Sequence, residues 1–162
     1  MLFIAHRGNV HGPSPSENAP SQIDWCLKKS IDCEIDLWVQ NGIYLLGHDI
    51  GQFEITKDWL MDRRYRLWIH CKNAEALNTL RSLNEPSFNF FWHQEDSYTI
   101  TSQNYIWVYP GNSVLPGSIS VLPEKWITDD RHQEISLGFG ICTDYVLRFK
   151  DEFVGDAKSV TI

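Results

Sequence analysis

Basic charge is scarce in this chain: 14 lysines and arginines stand against 21 aspartates and glutamates, a formal charge of −7 over 162 residues. That balance leaves no basic footprint for nucleic acid, and an anionic membrane surface would repel the protein as a whole. Long apolar runs are missing as well. None approaches the roughly 18–20 residues of a membrane span, so stable membrane insertion is not expected. The opening Met1-Leu2-Phe3-Ile4-Ala5-His6 carries no positive region and turns polar too early for a secretory signal. Cys26, Cys33, Cys71 and Cys142 show no C-x-x-C spacing, so they read as reduced thiols packed like small hydrophobes. Internal repeats, low-complexity tracts and linkers are absent. With 43% hydrophobic residues there is enough for one sizeable core, and a single cytoplasmic domain over 1–162 is expected. Homo-oligomer formation is left open.

The chain is rich in short segments with alternating or helical spacing. Leu2 to His6 reads as a buried strand ended by Arg7-Gly8, and the proline- and glycine-bearing stretch from Asn9 to Ser16 as a loop. A helix starts near Asn18, with Pro20 tolerated in its first turn and Ile23, Cys26 and Leu27 on one face. Asp32 to Val39 alternates, so Glu34, Asp36 and Trp38 share one face and Cys33, Ile35 and Leu37 the other. Asn41-Gly42 is a strong turn signal leading into a strand from Ile43 to Leu46. Arg66 to Lys72 repeats the alternation, with Trp68, His70 and Lys72 opposite Leu67, Ile69 and Cys71. A helix from Asn73 to Leu83 follows, capped by Asn73. Phe88–His93, Tyr105–Tyr109, Ile119–Leu122 and Phe139–Thr143 complete the strands, and the charged run Lys57–Arg66 reads as a solvated loop.

Early strand–helix alternation predicts an α/β protein with a parallel sheet. Polar groups near the carboxyl ends of strands gather at the mouth of a (β/α) barrel, which would bring His6, Glu34, Asp36, His70 and Lys72 together. Two carboxylates on one strand face repel unless a cation lies between them. Two imidazoles, an arginine and a lysine around such a pair suit metal-assisted cleavage of a phosphate ester, with proton transfer by histidine. Trp107 is a candidate for stacking on the alcohol group and equally for core packing, and His93 ends its strand at the same mouth without an assigned role.

Five motifs in order carry a resemblance. His6-Arg7-Gly8, Glu17-Asn18, Glu34-Ile35-Asp36, Asn41-Gly42 through His48-Asp49, and Cys71-Lys72 are similar to those of the glycerophosphodiester phosphodiesterase family of phospholipase-C-like phosphodiesterases. Ile106-Trp107-Val108 and Gly140 to Asp144 look like late segments of that family, while the strong match covers about residues 3–73. The resemblance implies a TIM-type barrel acting on a small-molecule phosphodiester. It implies Glu34 and Asp36 as metal ligands, His6 and His48 as acid and base, Arg7 and Lys72 on phosphate oxygens, and Glu17 on the metal or the alcohol. In that family a substrate hydroxyl attacks phosphorus, and water then opens the cyclic product.

Two departures stand out. The family's third strand ends Glu-x-Lys, whereas this chain has His70-Cys71-Lys72. An imidazole in place of a carboxylate still admits Mg²⁺, Mn²⁺ or Ca²⁺, but moves preference toward Mn²⁺ or Zn²⁺ and away from Ca²⁺. The chain is also shorter than the roughly 200-residue lower end for a (β/α)₈ domain, so an abbreviated barrel with shortened or missing helices is expected. A catalytically degenerate phosphate-binding module and a sphingomyelinase-D-like lipid phosphodiesterase are the alternative expectations.

Overall fold

The computed structural model describes residues 1–128 and 131–156; residues 129–130 and 157–162, part of the expected 1–162 domain, lie outside them. Ten strands form one mixed sheet: β1 Leu2–Ala5, β2 Asp32–Gln40, β3 Ile43–Leu46, β4 Phe53–Ile55, β5 Leu67–Cys71, β6 Asn89–Phe91, β7 Tyr98–Ile100, β8 Ile106–Val108, β9 Ile119–Val121 and β10 Gly140–Thr143. Five helices accompany them: α1 Pro20–Lys28, α2 Lys57–Arg63, α3 Ala74–Leu83, α4 His132–Ile135 and α5 Val146–Asp156.

The hydrogen-bonded order is β4-β3-β2-β1-β10-β9-β8-β7, with β5 on β2 and β6 on β5. The β3, β4 and β7 pairings are antiparallel, the others parallel. The sheet curls into a half-barrel, and the expected abbreviated TIM-type barrel does not form. The cause lies between Phe88 and Leu122. A parallel crossover needs a dozen or more residues, usually a helix. Here β6 runs into a hairpin of β7 and β8, and β8 reaches β9 through a loop, with no intervening helix among the described residues. The ladder therefore ends at β6 and β7. Ser102, just after β7, covers the β6 edge: its N–H donates to the Phe90 carbonyl (2.8 Å) and its Oγ accepts from the Phe90 N–H (2.9 Å). Such covering keeps an open edge from pairing with another chain.

Strand alternation sorts two cores onto the two sheet faces. Cys33, Ile35 and Leu37 of β2 and Leu67, Ile69 and Cys71 of β5 pack with Ile23 and Cys26 of α1, Leu60 of α2, and Ala76 and Leu80 of α3. On the other face, Ile4, Trp68, Phe91, Trp107, Ile119, Val121 and Cys142 fill the concave side. A third cluster joins Ile135, Ile141 and Phe149. Asn73 caps α3 by accepting from the Ala76 N–H (3.0 Å) while its amide donates to the Val39 carbonyl (2.7 Å), tying helix to strand.

Lys57–Arg66, read as a solvated loop, contains α2. Thr56 caps it by accepting from the Trp59 N–H (3.0 Å), and Leu60 at 0% exposure anchors it, so the surrounding charges form only its outer face. The short strands β4 and β7 were likewise not expected, because three residues hold no readable pattern, and the C-terminal segment, read only as short, forms the helix α5. No helix among the described residues is long and apolar enough to cross a membrane.

Candidate metal and phosphate site

Register places the site. Glu34 lies beside Trp68 and Asp36 beside His70 across the parallel β2–β5 ladder, and His70 lies beside Phe91 on β6. Alternation therefore puts Glu34, Asp36 and His70 above an aromatic floor, where the His70 ring stacks on Phe91 (5.3 Å, 6° between planes). Trp107 belongs to that floor. It packs on Phe91 (4.7 Å) and Trp68 (5.7 Å) at 4% exposure, so it is core rather than a platform for the alcohol. The apolar side chains around a strand in mid-sheet leave it no open face.

Asp36, at 1% exposure, is the hub. Its Oδ2 accepts from Asn18 Nδ2 (3.0 Å) and lies 3.1 Å from Arg7 Nε and 3.3 Å from His48 Nδ1. Its Oδ1 lies 3.1 Å from His70 Nδ1 and 3.4 Å from Lys72 Nζ. Burial opposes its charge, but His48, His70, Arg7 and Lys72 prevail and hold its carboxyl well below the ordinary range. Glu34 shares the face without that support. Burial, with the Asp36 charge next, raises its pKa, and among the described residues only the Arg7 backbone N–H donates to it, at 3.1 Å.

Local backbone geometry brings the cations in. Arg7 has φ +54° and Gly8 φ +78°, a left-handed turn straight after β1. A Cβ on Gly8 would press on Gln22 and Ile23 of α1 at 3.3–3.4 Å, which explains the glycine in His-Arg-Gly. The turn swings the Arg7 guanidinium between Glu17 Oε2 (3.0 Å), Asp36 and His48 Nε2 (3.3 Å). His48 follows Gly47, where a Cβ would stand 2.0 Å from the Ile50 carbonyl oxygen. The Trp38 indole donates to the Gly47 carbonyl (2.7 Å), and the Gly47 N–H donates to the Asp36 carbonyl (3.1 Å), so the loop is tied to β2. His48 Nε2 thus lies against the Arg7 guanidinium, while its Nδ1 faces Asp36 Oδ2 (3.3 Å) and Lys72 Nζ (3.4 Å).

His6 sits opposite. Its Nδ1 donates to Asp144 Oδ1 (2.7 Å), just after β10, and its Nε2 lies 4.0 Å from Glu34 Oε2. Burial disfavours the imidazolium, yet the Asp144 hydrogen bond and the Glu34 charge outweigh it, so the pKa is raised. Asp144 moves the other way, its burial outweighed by the bond from His6. Its surroundings are built too. Asn9 Nδ2 donates to both Asp144 (2.9 Å) and Glu17 Oε1 (3.0 Å), and Glu124 accepts from the Asp144 N–H (2.9 Å) and Thr143 Oγ1 (2.8 Å). The motif set did not mark Asn9, Glu124 or Asp144 as functional. A carboxylate directly after the last strand was the available signal for Asp144. Glu17 holds Arg7 and stands apart from the carboxylate–histidine cluster.

The pair fixes a pH window. A raised histidine pKa stabilises the fold fully below about 6.5 and ceases to as pH rises through its folded value. A depressed Asp144 stabilises above about 3.8 and ceases to as pH falls through its folded value. Wild type minus Asp144→Asn, measured by urea unfolding across pH 3–9, is therefore expected to peak between those limits. A flat difference would remove the ion pair from the account.

Donor atoms of Glu34, Asp36 and His70 all lie within 4.8 Å of one another. His70 Nδ1 lies 3.1 Å from Asp36 Oδ1 and its Nε2 3.0 Å from the His93 carbonyl. Two carboxylates and an imidazole within that reach are the donor types that divalent first-row cations take. The set therefore fits a divalent cation. A cleft of about 540 Å³ between α1 and the end of α2 lies away from this cluster, and its two arginines are already paired, Arg63 with Asp24 (2.6 Å) and Arg66 with Asp32 (2.8 Å). Comparison with protein-family models, curated proteins and solved structures gave no match, so the reading of this site stands on its geometry.

Proposed function

We propose that this protein is a metal-dependent phosphodiesterase acting on a glycerophosphodiester-like diester, as the resemblance of its motifs to that family implies. The observation that carries the proposal is the Glu34–Asp36–His70 donor set, flanked by the Arg7 and Lys72 cations and by His6 and His48, each beside a carboxylate. A divalent cation held by the three donors would neutralise phosphate charge. Arg7 and Lys72 supply donors to the remaining phosphate oxygens. Neutral His48 takes the proton of the attacking hydroxyl at Nε2 as the new P–O bond forms. His6, kept charged by Asp144, gives its Nε2 proton to the departing oxygen as the old P–O bond breaks. Water then opens the cyclic ester with the two roles exchanged. The buried free thiols Cys26, Cys33, Cys71 and Cys142 accord with a reducing, cytoplasmic setting.

The test is turnover of 4-nitrophenyl 2,3-dihydroxypropyl phosphate, whose neighbouring hydroxyl can attack phosphorus, by metal-stripped protein resupplied with Mg²⁺, Ca²⁺, Mn²⁺ or Zn²⁺. Wild type is expected to prefer Mn²⁺ or Zn²⁺, and His70→Glu to shift preference toward Ca²⁺ and Mg²⁺, because a hard oxygen replaces nitrogen. Diester binding without product in any metal would replace the enzyme with a binding module.

A further inference from the structure

Asn9 follows the His6-Arg7-Gly8 turn, and its backbone N–H donates to the His6 carbonyl (2.9 Å), closing that turn. Its side chain, at 2% exposure, directs one amide nitrogen at two carboxylates, Asp144 Oδ1 (2.9 Å) and Glu17 Oε1 (3.0 Å). Those carboxylates hold the two neighbouring side chains of the turn, Asp144 on His6 (2.7 Å) and Glu17 on Arg7 (3.0 Å). The Asp144 oxygen that meets Asn9 is the one that meets His6. The amide has a single usable orientation, because exchanging Nδ2 and Oδ1 would set an acceptor against two carboxylates. In that orientation Oδ1 is buried without a hydrogen-bond partner among the described residues. An unpaired buried acceptor costs free energy, and such costs persist where the group serves a site.

We infer that Asn9 is a positioning residue, holding Asp144 on His6 and Glu17 on Arg7 so that both side chains of the turn address one phosphate; the inference rests on the phosphodiesterase reading. The residue type fits the task. Serine has one hydrogen to donate and leucine none, while lysine would bring a charge that competes with His6 and Arg7 for the same carboxylates. Without the amide, the two carboxylates face each other with no donor between them, and like charges repel. Arg7 keeps a second anchor, with Nε 3.1 Å from Asp36 Oδ2, whereas His6 Nδ1 has Asp144 as its partner. Loss of Asn9 therefore falls on proton transfer by His6 more than on phosphate binding by Arg7.

The experiment is a double-mutant cycle of Asn9→Leu and Asp144→Ala on 4-nitrophenyl 2,3-dihydroxypropyl phosphate, in the metal that wild type prefers. Leucine has nearly the shape of asparagine and donates nothing. Asn9→Leu is expected to lower kcat about tenfold or more with KM within about twofold, since a displaced acid loses part of its ~10²- to 10⁴-fold contribution. In the Asp144→Ala background the same substitution is expected to cost less than about twofold. A second readout needs no turnover. In metal-free protein with isotope-labelled histidine, the proton between His6 Nδ1 and Asp144 gives a hydrogen-bond-shifted NMR resonance, identified by its loss in Asp144→Ala. Asn9→Leu is expected to move that resonance upfield. Should urea unfolding show that Asn9→Leu does not fold, Asn9→Ser, which keeps one donor, carries the same cycle with a smaller loss. Equal kcat losses in both backgrounds would show that Asn9 acts through some group other than Asp144, and no loss would leave it a loop residue. An unmoved resonance would leave Asp144 placed without it. Each of these overturns the inference. If wild type does not turn over the ester, the resonance decides alone. Its shift then keeps Asn9 as the residue that positions the His6–Asp144 pair while the enzyme reading fails, and its constancy removes both.

Discussion

Asp36→Ala is expected to lower unfolding free energy by about 3–5 kcal/mol and to abolish metal-dependent turnover, while Glu34→Gln abolishes turnover with stability unchanged or higher. The two carboxylates are two residues apart on one strand, and their surroundings dictate the contrast. Removing Asp36 strips Arg7 and Lys72 of their buried counter-charge and leaves Asn18, His48 and His70 without an acceptor. Set against the ~5–15 kcal/mol of a typical domain, that loss is a large share. Glu34 is the opposite case. Its charged form is disfavoured by burial and by Asp36, so a neutral amide removes repulsion and can still accept from the Arg7 N–H. Urea midpoints at pH 7, paired with the 4-nitrophenyl 2,3-dihydroxypropyl phosphate assay, check both. Equal destabilisation by the two substitutions would make the cluster a structural ion-pair network with no built-in place for a cation.

His6→Ala and His48→Ala are each expected to reduce turnover by about 10²- to 10⁴-fold without loss of fold, the usual contribution of a positioned acid or base. The pH–rate profile separates their roles. His6 acts while protonated, so its raised pKa sets the alkaline limb, and the general base sets the acid limb. Asp144→Asn removes the hydrogen-bonded charge that raises His6, and the alkaline limb is expected to move to lower pH with the acid limb in place. If Asp144→Asn instead moved the acid limb, the two roles would be reversed.

Much of the site was legible because strand alternation is a local rule. The faces read for Asp32–Val39 and Arg66–Lys72 are those observed, with Glu34, Asp36, Trp68 and His70 on one side and Cys33, Ile35, Ile69 and Cys71 on the other. Asn73 as a helix cap was readable for the same reason, since an N-cap needs only a side-chain acceptor and an amide three residues on. His6, Arg7, His48 and Lys72 converge with that face, as their positions at strand ends implied. Trp107 was left open between stacking and core because its residue type cannot distinguish an aromatic floor from an aromatic rim, and its burial puts it in the floor. Asp144 and Asn9, separated by 135 positions, meet only because β10 pairs with β1.

What the residues determined alone is the chemistry on offer: acidic balance, reduced thiols, alternating strands, and an ordered supply of carboxylates, imidazoles and cations in the first half of the chain. Tertiary structure decided the rest. It left a half-barrel open where the second half lacks crossover helices, bound His6 to Asp144, and closed five donors around Asp36 while leaving Glu34 and His93 short of partners. Period-2 and period-3.6 patterns report which way a side chain faces along its own element. Which strands become neighbours, and so which charges are paired, depends on long-range packing that no local pattern encodes.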